Sequence, residues 1–301
     1  MSRLPGGTGF QPVTIPNTHR LKACAPRRWT PGSALALLAM AALSAAFLLP
    51  FAWSVSASLK GLAQVYEYPP TLAVAQPQWS NYPQALSRLP FGRFMLNTLV
   101  LCAAGVTGQL LTASMAGYAF ARLRWPGRDV LFVVLLAGMM LPVQVLLVPH
   151  FLLYRQLDWV NTYKPLIVPS WLGGAAFFIF LFRQFFRAIP AELEQAARLD
   201  GAGEWQIYWR IFLPLSKPVL ITVGLLSLVG HWHELLGPLI YLSDTRAYPV
   251  SLGLRMYQSM EGSFVHLLMA ASVVATVPLV ILFFLAQRYF TRSLLLTGSK
   301  G

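Results

Sequence analysis

Four consecutive residues, His231-Trp232-His233-Glu234, include three side chains able to bind metals or carry protons. On a helix, His231 and His233 are two positions apart and point to nearly opposite sides, so they cannot chelate one ion together. His231 and Glu234 share a face, but two ligands are too few for a catalytic zinc, and no HExxH pattern is present. No metal site is expected. Glu234 is instead an ionisable group in an otherwise apolar run, where such groups face a polar cavity or a partner, or make an interhelical hydrogen bond. The two cysteines, Cys24 and Cys102, fall in a polar tail and an apolar run. That pair supports neither a disulfide framework nor a zinc site. No G-x-x-x-x-G-K-S/T sequence cradles a phosphate, and no Ser/His/Asp or Cys/His arrangement stands out. The other concentration of polar groups is "EQAARLDGAGEWQIYWRIFLPLSKP", residues 194–218, set between two apolar runs.

The elements that position these groups belong in a membrane. Of 301 residues, 56% are hydrophobic and 11% charged, against about a quarter charged in soluble domains. A helix needs roughly 20 apolar residues to cross the hydrocarbon core. Six stretches approach that: Ser33 to Leu59, Phe94 to Ala121, Val130 to Tyr154, Pro165 to Phe182, Pro218 to Leu242 and Gly262 to Gln287. Only the fifth, through Glu234, contains an acidic or a Lys/Arg side chain. The expected fold is an all-α membrane protein with six transmembrane helices. Residues 1–32 read as a disordered N-terminal tail, 33–293 as the transmembrane domain and 294–301 as a C-terminal tail. The first run is too long for a secretory leader's core and reads as a retained helix.

The net charge of +13 is explained by its distribution. With a cytoplasmic N-terminus, inside segments collect Arg20, Lys22, Arg27, Arg28, Arg122, Arg124, Arg128, Arg183, Arg187, Arg198, Arg210, Lys217, Arg288 and Arg292. The opposite side holds fewer, among them Lys60, Arg88, Arg93 and Arg155. This is the positive-inside pattern, so the lipid bilayer is the expected partner and nucleic acid is not. The outer loop Lys60–Arg93 carries five prolines and reads as extended or turn-rich, with Trp79 and Tyr82 suited to the membrane interface. Small residues of the second run (Ala113, Ser114, Ala116, Gly117, Ala119) suit close helix packing in lipid. Pro142, Pro149, Gly173, Gly174 and Pro238 permit kinks in later spans.

Residues 190–214 read as a punctuated elbow. Pro190 suits a helix start, Glu192 and Glu194 favour the first turn, Arg198 the last, and Gly201 the stop. A second segment carries Trp205, Tyr208, Trp209 and Phe212 at helical spacing, an interfacial stripe that Pro214 ends. The first helix is short for water; a partner's groove receiving its small Ala196–Ala197 face would supply the missing packing.

This elbow resembles the EAA loop of ABC importer permeases, E-A-A-x3-G-x9-I-x-L-P. Ala196, Ala197, Gly201, Ile211, Leu213 and Pro214 match at the family spacing, and Gln195 stands where the family has glutamate. "SLKGLAQVYEYPP", "NYPQAL", "AGYAFARLRWPGR", "FRQFFRAIP" and "QRYF" are similar to the carbohydrate-importer branch, its MalG-type subunit in particular, over roughly residues 34–301. The resemblance implies a type I importer permease in the bacterial inner membrane, with both termini cytoplasmic. It would translocate a sugar or oligosaccharide and have no ATPase site of its own, ATP and Mg being held by a partner. The implied partners are a homologous second permease subunit, a cytoplasmic ATPase dimer and an extracytoplasmic sugar-binding protein. Glu194, Gln195, Ala196, Ala197, Asp200, Gly201, Ile211, Leu213 and Pro214 would couple to the ATPase, and the terminal Gly298, Ser299, Lys300 and Gly301 would touch it as well. Trp232, His233 and Glu234, where the family usually has Trp-Asn-Asp/Glu, are translocation-path candidates. The rival class is an ion-coupled secondary transporter, for which only Glu234 and the two histidines could carry the ion or proton.

Overall fold

The computed structural model describes residues 31–259 and 264–297. Its contacts divide the chain into two units, residues 1–49 and 50–301. Helix α1 (Pro31–Ser58) begins in the first, where its residues 35–49 are exposed. In the second unit a short α2 (Leu62–Val65) and α3 (Asn81–Arg88) punctuate the proline-rich connection. That connection is therefore only partly extended. Pro83 falls in the first turn of α3, where a missing N–H costs nothing. Asn81 Nδ2 ties the loop's start by donating to the carbonyls of Ser58 (2.8 Å) and Lys60 (2.9 Å).

Helix α4 (Phe91–Arg122) is the axis of this unit. Its 32 residues extend about 48 Å at 1.5 Å each, and a separate core forms at each end. At its start, Phe91 and Phe94 pack with Ala85 and Leu89 and with Val250, Tyr257, Leu267, Ala270 and Ala271 of later helices. At its finish, Ala113, Tyr118 and Phe120 pack with Phe182, Phe186, Ile207, Tyr208, Phe212 and Val223. Lipid is as apolar as these side chains, so close approach and interhelical hydrogen bonds hold the bundle rather than escape from solvent. Gly117 allows one such approach: a β-carbon there would lie 2.5 Å from Cβ of Phe182. Ser114 and the Tyr208 hydroxyl share a hydrogen bond of 2.7 Å inside the same core.

The spans between α4 and α15 are interrupted. Helices α5 (Arg128–Gly138) and α6 (Val143–Gln156) meet at 100° across Met139–Pro142. Helices α7 (Lys164–Trp171) and α8 (Ala176–Ala188) are separated at Gly173 and Gly174, with φ of +103° and +55°. Gln109 of α4 holds that break, donating to Gly173 O (3.1 Å) and accepting from the Ala175 amide (3.2 Å). The elbow consists of α9 (Ala191–Leu199), α10 (Glu204–Ile207), a π turn (Tyr208–Phe212) and α11 (Leu213–Leu215). Then follow α12 (Lys217–His233), α13 (Leu236–Tyr241), α14 (Val250–Ser259) and α15 (Val265–Thr297). Among the described residues, four helices are long and apolar enough to cross a membrane, or up to six if each bent pair is one span. The fifth expected span ends earlier than its hydropathy: α12 stops at His233, and Glu234 leaves the helix at φ −61°, ψ 117°. Among the described residues no strand occurs.

Candidate functional site

The elbow is built as a compact hairpin on the end of α4. Gly201 takes φ +82°, and the Ala202 amide returns to the Ala197 carbonyl (2.9 Å), closing α9 as a left-handed C-terminal stop. Gln206 Oε1 accepts from the Gly203 amide (3.2 Å) and starts α10. The chain does not stop at Pro214. Proline lacks an amide and its ring clashes with the carbonyl four residues back; here the widened π turn just before it carries the chain on, and the helix ends at Ser216. The Ser216 hydroxyl there donates to Phe212 O (2.6 Å), and α12 leaves at 77°.

Polar groups fix the hairpin to the bundle. Glu194, only 13% exposed, faces Arg122 of α4 (3.6 Å) and Arg198 one turn on (2.8 Å). Arg198 also reaches Glu204 (2.5 Å), whose other oxygen accepts from the Tyr118 hydroxyl of α4 (3.0 Å). The bond to Glu194 pushes the Arg198 guanidinium above its already high pKa, so it stays charged. Ala197 is buried with Ile207, Tyr208 and Phe212, whereas Gln195, Ala196 and Asp200 are exposed. Ala196 and Ala197 therefore do not form one outward face, because adjacent helical positions diverge by about 100°. The aromatic stripe divides for the same reason: Tyr208 and Phe212 are core, Trp205 and Trp209 exposed. Ile211 and Leu213 lie half-buried against that core. Leu199, overlooked in the sequence, is 89% exposed at the tip, with Leu193 also exposed.

A cavity of about 500 Å³ opens within the bundle, lined by α4, α6, α7, α8, α12 and α13, with Gln109, His150, Ser170, Ser227, His231 and Glu234 among its polar groups. His231 Nε2 lies 3.1 Å from the Ser170 hydroxyl and Nδ1 2.8 Å from Ser227 O. Glu234 Oε1 accepts from the Gly237 amide (2.9 Å), capping α13. The three neighbours expected on one path separate: Trp232 and His233 line a different, smaller cleft with Leu254 and Ala275. His231, not singled out as a path residue, joins Glu234 on the cavity, as their i, i+3 spacing allows, although α12 ends at His233 between them. Among the described residues no group of three or more His, Cys, Asp or Glu converges. Gly298 to Gly301 lie outside the described residues.

Residues 109–295 match the family described as binding-protein-dependent transport system inner membrane component. The chain belongs to this family. It is 37% identical over 205 residues to the arabinooligosaccharides transport system permease protein AraQ of Halalkalibacterium halodurans, covering 68% of this chain and 73% of that one. It is 33% identical over 248 residues to the sn-glycerol-3-phosphate transport system permease protein UgpE of Yersinia pestis, covering 80% and 87%. Its fold superposes on a chain from the crystal structure of a bacterial ABC transporter involved in the import of the acidic polysaccharide alginate. The TM-score is 0.73, with 25% identity over 87% of this chain and 99% of that chain. The permease is thus an inner-membrane subunit of an ABC importer, not itself an enzyme, with nucleotide hydrolysis on a separate subunit.

Proposed function

We propose that this permease is one half of a heterodimer that imports a neutral or acidic sugar or oligosaccharide delivered by an extracytoplasmic binding protein. A homologous permease subunit supplies the other half. A cytoplasmic ATPase dimer, holding ATP and Mg, receives the elbow. Both termini face the cytoplasm. The observation that carries this reading is the hairpin itself. It is pinned to the bundle through Glu194 and Ala197, with Ile211, Leu213 and Pro214 supporting its return limb. It presents Gln195, Ala196, Leu199, Asp200 and the Gly201 turn outward. The leucines left exposed on this short helix would gain packing in a partner's groove. Gln195 supplies a neutral amide where the family has glutamate, so the seat relies on a hydrogen bond and apolar contact rather than an ion pair.

ATP-driven closure of the ATPase dimer moves the seated hairpin, and the packed bundle responds by changing which side its cavity opens to, since packed interfaces are bistable. His231 and Glu234 line the path on this half. The related carriers of arabinooligosaccharides and of alginate support a carbohydrate cargo. The terminal residues 298–301 make a second contact with the ATPase, which normal binding-protein-stimulated hydrolysis after their deletion would refute. Uptake of radiolabelled arabino-oligosaccharides and alginate oligosaccharides by cells carrying the whole system tests the reading. The expected result is uptake of one of them that stops when the ATPase is inactivated and survives an ionophore. Uptake that persists without the ATPase and collapses with the ionophore would overturn it.

A further inference from the structure

Along the chain, the hairpin is joined only to α8 before it and α12 after it. Helix α4 has no covalent link to it, yet two α4 side chains one turn apart, Tyr118 and Arg122, hold both its limbs. Arg122 Nη1 faces Glu194 of α9 at 3.6 Å, and Glu194 binds Arg198 at 2.8 Å. Arg198 binds Glu204 of α10 at 2.5 Å, and Glu204 accepts from Tyr118 at 3.0 Å. The circuit begins and ends on α4. Arg122 also donates to the carbonyls of Phe186 (Nη2, 2.6 Å) and Ile189 at the end of α8, and its guanidinium lies 4.9 Å over the Phe212 ring. Its side chain is 11% exposed and Glu194's 13%, so solvent screens this pair far less than the outer one. A guanidinium fits three such acceptors because its donors are held in a rigid fork and its charge is permanent; an ammonium offers one point charge.

We propose that Arg122 and Glu194 are positioning residues that clamp α4 to the hairpin, so that α4 and the elbow move as one body when the ATPase moves. The proposal rests on the reading of the hairpin as the ATPase seat. Without the clamp, motion would reach α8 and α12 through the backbone and α4 only through core packing and the Ser114–Tyr208 hydrogen bond. Two interlocking cations and two carboxylates, closed by a tyrosine, make α4 a driven helix.

The test uses the assembled importer, with its ATPase and companion subunit, in lipid nanodiscs. Cys24 and Cys102 are replaced by serine, and spin labels are placed on Ala191→Cys in α9 and Met115→Cys in α4. Their distance distribution is measured without nucleotide and with ATP plus vanadate. The expected result for the parent is one narrow distribution, the same in both states. Arg122→Lys and Glu194→Gln should each broaden it and separate the two states by about 2 Å or more, the scale of helix shifts at switching interfaces. The double variant should add nothing beyond either single change. If Arg122→Lys fails to assemble, Tyr118→Phe, which loses only the hydroxyl contact, should still give a smaller broadening of the same kind. Distributions as narrow and nucleotide-independent as the parent's in the variants, with ATPase bound, would overturn the clamp alone. Absence of ATPase from the parent complex would overturn the seat and the clamp together.

Discussion

Gly201 holds φ +82° at the tip of the hairpin with open space where a β-carbon would go. Any penalty for a side chain there comes from the backbone alone, about 1–2 kcal/mol for a residue forced left-handed. Asparagine tolerates that region and valine does not. Gly201→Val should therefore weaken co-purification of the ATPase, while Gly201→Asn should retain most of it. Equal retention by both would remove the turn from the coupling account. Gly117 fails for the opposite reason. Gly117→Ala places a methyl 2.5 Å from Cβ of Phe182, an atom fixed to the backbone. Overpacking of this kind costs about 1–3 kcal/mol, and a thermal melt of the purified permease should record the loss. The Gly201 stop and the α4 packing glycine were legible as residue types at fixed offsets. The division of Ala196 from Ala197 was not, because the sequence alone does not say which side of a short helix meets its own bundle.

At the scale of elements, α4 and α9 follow their sequence signals closely, since long apolar runs and caps are local properties, whereas α15 continues past the expected span's end at Gln287 to Thr297. The breaks are harder to place. Gly173 and Gly174 marked one, but its holder, Gln109, is more than sixty residues away in the chain and only tertiary contact reveals it. Gln109→Leu keeps the volume and removes both bonds, leaving Gly173 O and the Ala175 amide without their side-chain partner at the cavity lining. The expected loss is about 0.5–1.5 kcal/mol, read as a lower melting temperature with the fold retained; an unchanged melt would show that the break holds itself. Pro214 misled as a stop because the π turn before it absorbs the clash, and π turns have no sequence mark comparable to a proline. Hydropathy likewise ran the fifth span past His233, where the helix ends and Glu234, outside it, lines the cavity.

For the whole molecule, two cores at opposite ends of α4 separate the labour. One gathers α3, α14 and α15; the other gathers α8, the hairpin and α12. The class of the protein was readable from composition and from one gapped motif, whereas the network of Tyr118, Arg122, Glu194, Arg198 and Glu204 was not, since its members are scattered over almost ninety residues. Large apolar side chains remain exposed on α5, α6 and α15, among them Val130, Val145 and Phe284, as expected of surfaces that face lipid or a companion subunit. The central claim is that the hairpin tip seats in the ATPase, and Leu199, 89% exposed, is the side chain to ask. In the assembled importer, with Cys24 and Cys102 replaced by serine, a photoactivatable crosslinker on Leu199→Cys should yield one adduct, between the permease and the ATPase subunit. Adducts only to lipid or to the extracytoplasmic binding protein would contradict the account.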